Sequence, residues 1–325
     1  MSKNYSRLTY QNRIGIYYLL KQRMSVRSIA RELNVSPSTI SREIQRNRSG
    51  TAYYPNTAQR KTQKRWHRLT RKLDSSSELR YAVFTRLRKQ WSPEQISASL
   101  KRCYEDRSMH ISPESIYTYL YVLPRGELKK ELLGHLRQFR TKRKERGKHH
   151  AAHGPIPNLI SIHERPIEVE DRTIPGHWEG DLIIGDKHQS ALGTLVERTT
   201  RTTLLIPLQD KDAASVRRAF AKHVKRLPRH MKLSMTYDRG GEMAQHRLFT
   251  EETKMKVYFA DPQSPWQRGT NENTNGLIRQ YFPKGTDFKK VSRSEYRKVQ
   301  DLLNERPRKV LDWRSPAEAM DELLR

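Results

Sequence analysis

A single cysteine, Cys103, is the only thiol in the chain. Its isolation excludes an internal disulfide and any cysteine-based zinc finger within one chain, and it fits a reducing, cytosolic compartment. Long apolar runs are missing too. No stretch approaches the roughly 20 apolar residues that a membrane-spanning helix needs, and the opening segment MSKNYSRLTYQNR has no signal-peptide apolar region. No membrane partner is therefore expected. Acidic residues are scarce: 35 Asp and Glu stand against 64 Lys and Arg, a formal net charge of +29. Apolar residues make up 34% and charged residues 30%. With 325 residues, that composition predicts two or three domains with modest cores and a surface rich in Lys and Arg.

The excess charge is unevenly placed. Residues 1–153 hold 34 Lys and Arg against 11 Asp and Glu, whereas residues 154–325 hold 30 against 24. The N-terminal half therefore has the electrostatic footprint of a polyanion-binding region, and double-stranded DNA is the expected partner. A cytosolic location, already favoured by the lone cysteine, matches that partner. The C-terminal half must keep its acidic residues for another reason.

Tyr10, Ile14, Tyr17 and Tyr18 recur at helical spacing, and VRSIAREL follows as a short helix with Ile29, Ala30 and Leu33 inward. Asn34 and Val35 make a tight connection to a third helix, which Ser36 caps and Pro37 opens. Helix, short turn, helix is the helix-turn-helix pattern, and residues 1–54 are assigned to it. Ile40 and Ile44 share the inner face of the third helix, so Ser38, Arg42, Gln45 and Arg46 face outward. Arg suits a guanine edge, Gln an adenine edge, and Ser a phosphate. Ser36, Ser38, Arg42, Gln45 and Arg46 are the candidate DNA contacts here.

A second helical unit is assigned to residues 55–136. Ser112-Pro113-Glu114-Ser115-Ile116 echoes Ser36-Pro37-Ser38-Thr39-Ile40, with Ile96 and Leu100 upstream in the places of Ile29 and Leu33 and a longer connection between the helices. Its outward face carries Glu114, Thr118 and Tyr121, without Arg or Lys. DNA contact and a packing or dimer-forming role both remain open for it. Residues 137–157, RQFRTKRKERGKHHAAHGPIP, read as a basic linker, in which His149, His150 and His153 lack a cysteine or carboxylate partner for a metal.

Beyond Pro157 short apolar runs alternate with helical patterns. DLIIG, ALGTLVER, TTLLIPL, LSMTYD and KVYFAD read as strands, with helices over Ala213–Arg226 before the fourth and Glu242–Thr253 after it. The fold class is therefore a mixed α/β layer structure, behind all-α DNA-binding units. Residues 158–308 form this domain and residues 309–325 a C-terminal helical tail.

Three of its carboxylates stand on separate elements: Asp181 in GHWEGDLIIG, Asp238 closing LSMTYD, and Glu272 in SPWQRGTNENTNGLIRQYFP. Phosphodiester cleavage needs an activated attacking oxygen and a stabilised leaving oxygen, and two divalent ions about 4 Å apart supply both. Mg²⁺, or Mn²⁺ in its place, needs few carboxylates and keeps water and phosphate in its other positions. Arg268, Glu272, Asn275 and Arg279 recur at spacings that share a helix face, which makes Arg268, Asn275 and Arg279 candidate DNA contacts. Glu179 shares a strand face with Asp181 as a supporting residue, and Glu242 is expected to open a helix on the surface. Trp266 and Gln267 are further candidate end contacts, with Trp266 equally suited to a core.

GHWEGD, YDRGGE and SPWQRGTNENTNGLIRQYFPKGTDF, followed by LNERPRKVLDWRSPAEA, resemble the bacterial transposases of the insertion sequence thirty family. The resemblance spans nearly the whole chain. It implies an RNase H-like core shared with retroviral integrases, and a catalytic, metal-binding triad at Asp181, Asp238 and Glu272. It also implies Mg²⁺-dependent cleavage at the ends of a mobile element, transfer of the freed 3′ hydroxyl to target DNA, and terminal inverted repeats bound by the N-terminal domain. A homo-oligomer on DNA, at least a dimer, is expected. One departure is Arg239, where Asn more often follows the second Asp. The rival readings are a helix-turn-helix regulator with an inactive RNase H-like domain, and a nuclease that cuts without joining.

Overall fold

The computed structural model describes residues 8–66, 71–136, 156–262 and 264–324. The chain forms two compact units, Met1–Ser75 and Ser76–Arg325. No helix among the described residues is long and apolar enough to cross a membrane.

In the first unit, α1 (Tyr10–Lys21), α2 (Val26–Glu32), α3 (Pro37–Asn47) and α4 (Pro55–Trp66) pack around Ile16, Ile29, Ala30, Ile40, Tyr53 and Ala58. Asn34 takes a positive φ of 50° in the turn between α2 and α3, a conformation that Asn tolerates better than most residues. Ser36 then caps α3 by accepting from the Thr39 amide at 3.2 Å, with Pro37 in the first turn. The core also holds a charge: Arg13 on α1 is buried, donates to Glu43 on α3 at 2.7 Å and reaches Gln59 on α4 at 2.8 Å. The compact units thus divide at residue 75, whereas the pattern of residues along the chain predicts a boundary at 54. Ala58 and Thr62 of the polar, basic α4 are buried, and this helix closes the first unit.

The second helical region, by contrast, lies within the larger unit. The helices Ser77–Arg88, Pro93–Cys103 and Pro113–Val122 bury Leu79, Ile96, Leu100 and Ile116. The longer connection includes a single 3-10 turn, Arg107–Met109. Polar side chains tie these helices to the C-terminal part of the chain. Gln95 donates to the Pro307 carbonyl at 2.8 Å and accepts from buried Arg306 at 2.9 Å, while the Tyr281 hydroxyl donates to the Lys89 carbonyl at 2.9 Å. Periodicity could not reveal those long-range bonds. The linker histidines His149, His150 and His153 lie outside the described residues.

The rest of the larger unit is built on a five-stranded sheet in the order β3-β2-β1-β4-β5. Its strands are β1 (His177–Ile184), β2 (Ala191–Glu197), β3 (Thr203–Pro207), β4 (Ser234–Tyr237) and β5 (Lys256–Phe259). β1, β2 and β3 form an antiparallel meander, and β4 and β5 run parallel to β1. This is the mixed, RNase H-like arrangement. Alternation along each strand divides the core between two faces. Trp178, Leu195, Ile206, Met235, Tyr237, Val257 and Phe259 point one way and pack against Phe220 and Phe249 of the helices Ala213–Val224 and His246–Thr253. Ile183, Leu192 and Leu205 point the other way. They meet Leu277, Ile278, Val299 and Leu303 of the helices Gly269–Tyr281 and Arg293–Asn304. Burying each such side chain contributes roughly 1.5–3 kcal/mol.

One expected helix boundary moves. Glu242 does not open the helix, because residues 241–243 form a separate 3-10 turn and the α-helix begins at His246. Gly240 and Gly241 carry the chain through that turn, and a side chain at Gly240 would strike the Glu242 carboxylate.

Candidate active site

The pairing of β1 with β4 sets the site. Glu179 is level with Thr236 in the parallel register, so two residues further on Asp181 comes level with Asp238, on the same face of neighbouring strands. That face is the one covered by the helix Gly269–Tyr281. Tyr237 and Gly180 point to the opposite face, where a side chain on Gly180 would meet the Tyr237 ring at 2.7 Å. Glycine is needed there to let the ring lie flat under the strand.

One guanidinium joins the two aspartates. Arg268 is the last residue of the 3-10 turn Pro265–Arg268 that leads into the helix. Its Nη2 donates to Asp238 Oδ2 at 3.1 Å, while its Nη1 donates to the Gly180 carbonyl at 3.2 Å and stands 3.6 Å from Asp181 Oδ1. Burial pushes the Asp181 carboxyl up to about 6; Arg268 opposes that shift, and the charges of Asp238 and Glu242 add to it. For Arg268 burial acts downward, but Asp238 and Asp181 outweigh it and hold the guanidinium above its ordinary range.

Asp181 is also held from the helix. Asn275 Nδ2 donates to Asp181 Oδ2 at 2.8 Å, and Asn275 Oδ1 accepts from Thr194 on β2 at 3.2 Å. Arg279, one turn on, donates to the carbonyls of Ile184 at 2.6 Å and Pro283 at 3.3 Å. Asn275 and Arg279, expected among the DNA contacts, therefore spend donors on fixing the helix against β1. Glu179 is fully buried beneath this contact. It accepts from Arg198 at 2.8 Å and from the Asn271 amide at 2.9 Å. Burial lowers the Arg198 guanidinium to about 10, with Glu179 opposing.

Glu272 lies on the same helix with its side chain exposed. Among the described residues no group of three or more His, Cys, Asp or Glu is gathered closely enough to hold a metal ion. The structure brings Asp181 and Asp238 together around Arg268, and Glu272 stands exposed on the helix that covers their face of the sheet. A shared cation between two carboxylates is nevertheless what a divalent ion would also exploit, and the Arg268 guanidinium stands in that place. The pair of aspartates fits such an ion.

Sequence reasoning gave Glu242 only a helix-opening place on the surface and passed over Tyr237. Glu242 raises the pKa of both Asp181 and Tyr237 through its charge, and the Tyr237 hydroxyl, raised above all by burial, has no hydrogen-bond partner among the described residues. Only the two glycines before Glu242 hinted that the chain doubles back toward the strand ends. Arg239 ties the end of β4 to the end of β5, donating to the Ala260 carbonyl at 3.1 Å and meeting Asp261 at 3.4 Å. Gln267 also bonds Asp261, at 2.9 Å, while Trp266 is 73% exposed and belongs to no core.

In the first unit Ser36, Ser38, Arg42, Gln45 and Arg46 are all exposed. Arg42 donates to the Ser38 carbonyl and hydroxyl, both at 3.1 Å, so the two act as one outward-facing group. On the helix Pro113–Val122, Glu114, Thr118 and Tyr121 are likewise exposed.

Residues 4–47 match the model of a helix-turn-helix domain family, and residues 172–265 that of the integrase core domain. The transposase for insertion sequence element IS1086 of Cupriavidus metallidurans is 44% identical over 98% of this chain and 96% of its own length. Transposase InsI for insertion sequence element IS30A of Escherichia coli K12 is 44% identical over 97% of this chain and 83% of its own. The transposase for insertion sequence element IS4351 of Bacteroides fragilis is 36% identical over 100% and 97%. Among solved structures, the catalytic core domain of BIV integrase aligns with 46% of this chain and 95% of its own at 15% identity, with a TM-score of 0.36. A helix-turn-helix unit, an integrase core and full-length likeness at these identities converge: the chain belongs to the family of insertion-sequence transposases, enzymes of DNA cleavage and strand transfer.

Proposed function

We propose that Asp181, Asp238 and Glu272 are the catalytic carboxylates of this transposase and hold Mg²⁺, with Mn²⁺ as a substitute and two ions in the working site. The observation that carries this reading is the register of β1 and β4, which sets Asp181 and Asp238 side by side around one shared positive charge. When bound, the ions activate the attacking oxygen and stabilise the leaving one. The chain's own residues do the rest. Asn275 orients the Asp181 carboxylate, and Glu179 with Arg198 anchors the helix through the Asn271 amide. Water attacks first and frees a 3′ hydroxyl at the element end. That hydroxyl then attacks a target phosphodiester, so one P–O bond forms as another breaks and a target 3′ hydroxyl leaves.

In this reading the first unit recognises the terminal inverted repeats through Ser36, Ser38, Arg42, Gln45 and Arg46. At least two chains act together on DNA in the bacterial nucleoid. Arg268, Asn275 and Arg279 are the DNA contacts of this region in the same reading, although each also bonds β1 or its aspartate in the free protein.

Single amide substitutions test the assignment, because they remove charge and nearly preserve shape. Asp181→Asn, Asp238→Asn and Glu272→Gln should each keep end binding and lose cleavage and joining, measured on pre-cut and uncut element ends in Mg²⁺. Glu242→Gln is compared in parallel, since Glu242 is the other acid whose charge reaches Asp181. Robust cleavage by Glu272→Gln together with loss in Glu242→Gln would move the third role to Glu242. Cutting without joined products in the unaltered protein would favour a plain nuclease.

A further inference from the structure

The Arg268 guanidinium occupies the oxygens that a metal would need. It contacts Asp238 Oδ2 and lies beside Asp181 Oδ1, with Gly180 O as its third partner. A divalent ion bound by both aspartates must approach their oxygens to about 2.0–2.1 Å, as Mg²⁺ does. A guanidinium cannot keep its place at the same oxygens, and like charges at such a separation repel strongly. Arg268 and metal are therefore competitors for one position. Charge balance makes the competition useful: without a cation, two carboxylates on adjacent strands would repel each other, and Asp181 is only partly exposed to the water that would screen them.

The location of Arg268 gives it somewhere to go. It ends a short 3-10 turn rather than sitting within the helix, and Trp266, two residues earlier, is exposed. Planar guanidinium groups pair with phosphate through two parallel hydrogen bonds, so a DNA phosphodiester is a natural new partner.

We propose that Arg268 is an internal counter-ion that holds Asp181 and Asp238 in the metal-free protein and is exchanged, as metal enters, onto a phosphate of the bound DNA strand. Metal and DNA then favour each other's binding through one side chain, since whatever draws Arg268 off the aspartates raises metal affinity, and the coupling is reciprocal. Arg268 acts as a positioning residue and not as a metal ligand. The inference rests on the reading that Asp181 and Asp238 hold the ion.

The test measures Mn²⁺ binding to the full chain without DNA, from the electron paramagnetic resonance signal of free Mn²⁺, alongside thermal unfolding in the metal-free state. Arg268→Gln should bind Mn²⁺ about tenfold more tightly than the unaltered protein, because the competitor is gone. Asp181→Asn/Arg268→Gln should lose that gain, which locates it at the aspartates. Adding a pre-cut element end should tighten Mn²⁺ binding in the unaltered protein and have a much smaller effect in Arg268→Gln. Equal or weaker Mn²⁺ binding by Arg268→Gln, with Asp181→Asn alone still reducing binding, would overturn the counter-ion role and leave the metal assignment standing. Unchanged Mn²⁺ binding in Asp181→Asn would overturn both. Arg268→Lys keeps the charge and supplies the folding control: it should bind Mn²⁺ no more tightly than the unaltered protein, and a tenfold gain there would also refute the idea.

Discussion

Asn275 donates to Asp181 across 2.8 Å, joining the site helix to the central strand at the carboxylate itself. The same amide accepts from Thr194 on β2, so its orientation is fixed from two sides. Asn275→Ala should leave the fold and end binding intact and lower cleavage by about 10- to 100-fold, the usual cost of losing a group that orients a metal-binding side chain. Rates on a pre-cut and an uncut end, with DNA binding measured beside them, would check this. Full activity would make the contact incidental.

The pair Glu179–Arg198 is a different case, because it is buried and far from solvent. Removing one partner strands the other charge, which costs about 3–5 kcal/mol. Glu179→Ala should therefore lower the unfolding temperature sharply. Glu179→Leu/Arg198→Met, which removes both charges, should recover much of that loss while still lacking the acceptor for the Asn271 amide. A double variant no more stable than the single one would show that the Asn271 contact matters more than the charge.

Acid sensitivity should appear in a defined window. Burial lowers the pKa of His177 and of His223 below the ordinary 6.5, so the native protein resists protonating them. The unfolded chain binds protons that the native chain does not, and stability must fall as pH falls. Their contribution is full above about pH 6.5 and is lost as pH drops from there through the lower native values. Thermal unfolding between pH 8 and pH 5, compared with His177→Asn and His223→Asn, would expose it as a shallower pH dependence in the variants.

Arg42 is hydrogen-bonded to Ser38 on the outer face of α3. Arg42→Ala should cost about 1–3 kcal/mol of binding at the cognate element end and relax sequence choice there, if the guanidinium reads a base edge. An equal loss on all duplexes, with a shallower salt dependence, would make it a phosphate contact instead.

Much of this was legible along the chain. Tyr10 to Arg46 carried its helices in spacing and its turn in Asn34, Ser36 and Pro37, because helix periods and caps are local properties. The five strands were legible for the same reason, as short β-rich runs between turn residues. Arg268, Asn275 and Arg279 showed helical spacing, but spacing gives a shared face and not what that face meets. Asn275 and Arg279 also bond β1, a contact that only the tertiary structure reveals. Glu242 reads along the chain as the start of a helix, although the Gly240-Gly241 turn brings its charge toward Asp181.

The amino-acid order by itself determined the elements, the basic N-terminal half and the carboxylates available for chemistry, since each depends on neighbours within a few residues. Tertiary structure alone decided the rest. The parallel register of β1 and β4 brings Asp181 level with Asp238 across 56 intervening residues. The docking of Arg306 on Gln95 places the second helical region with the core and not with the first unit. Such pairings depend on which faces are buried together, and burial is a property of the whole chain at once.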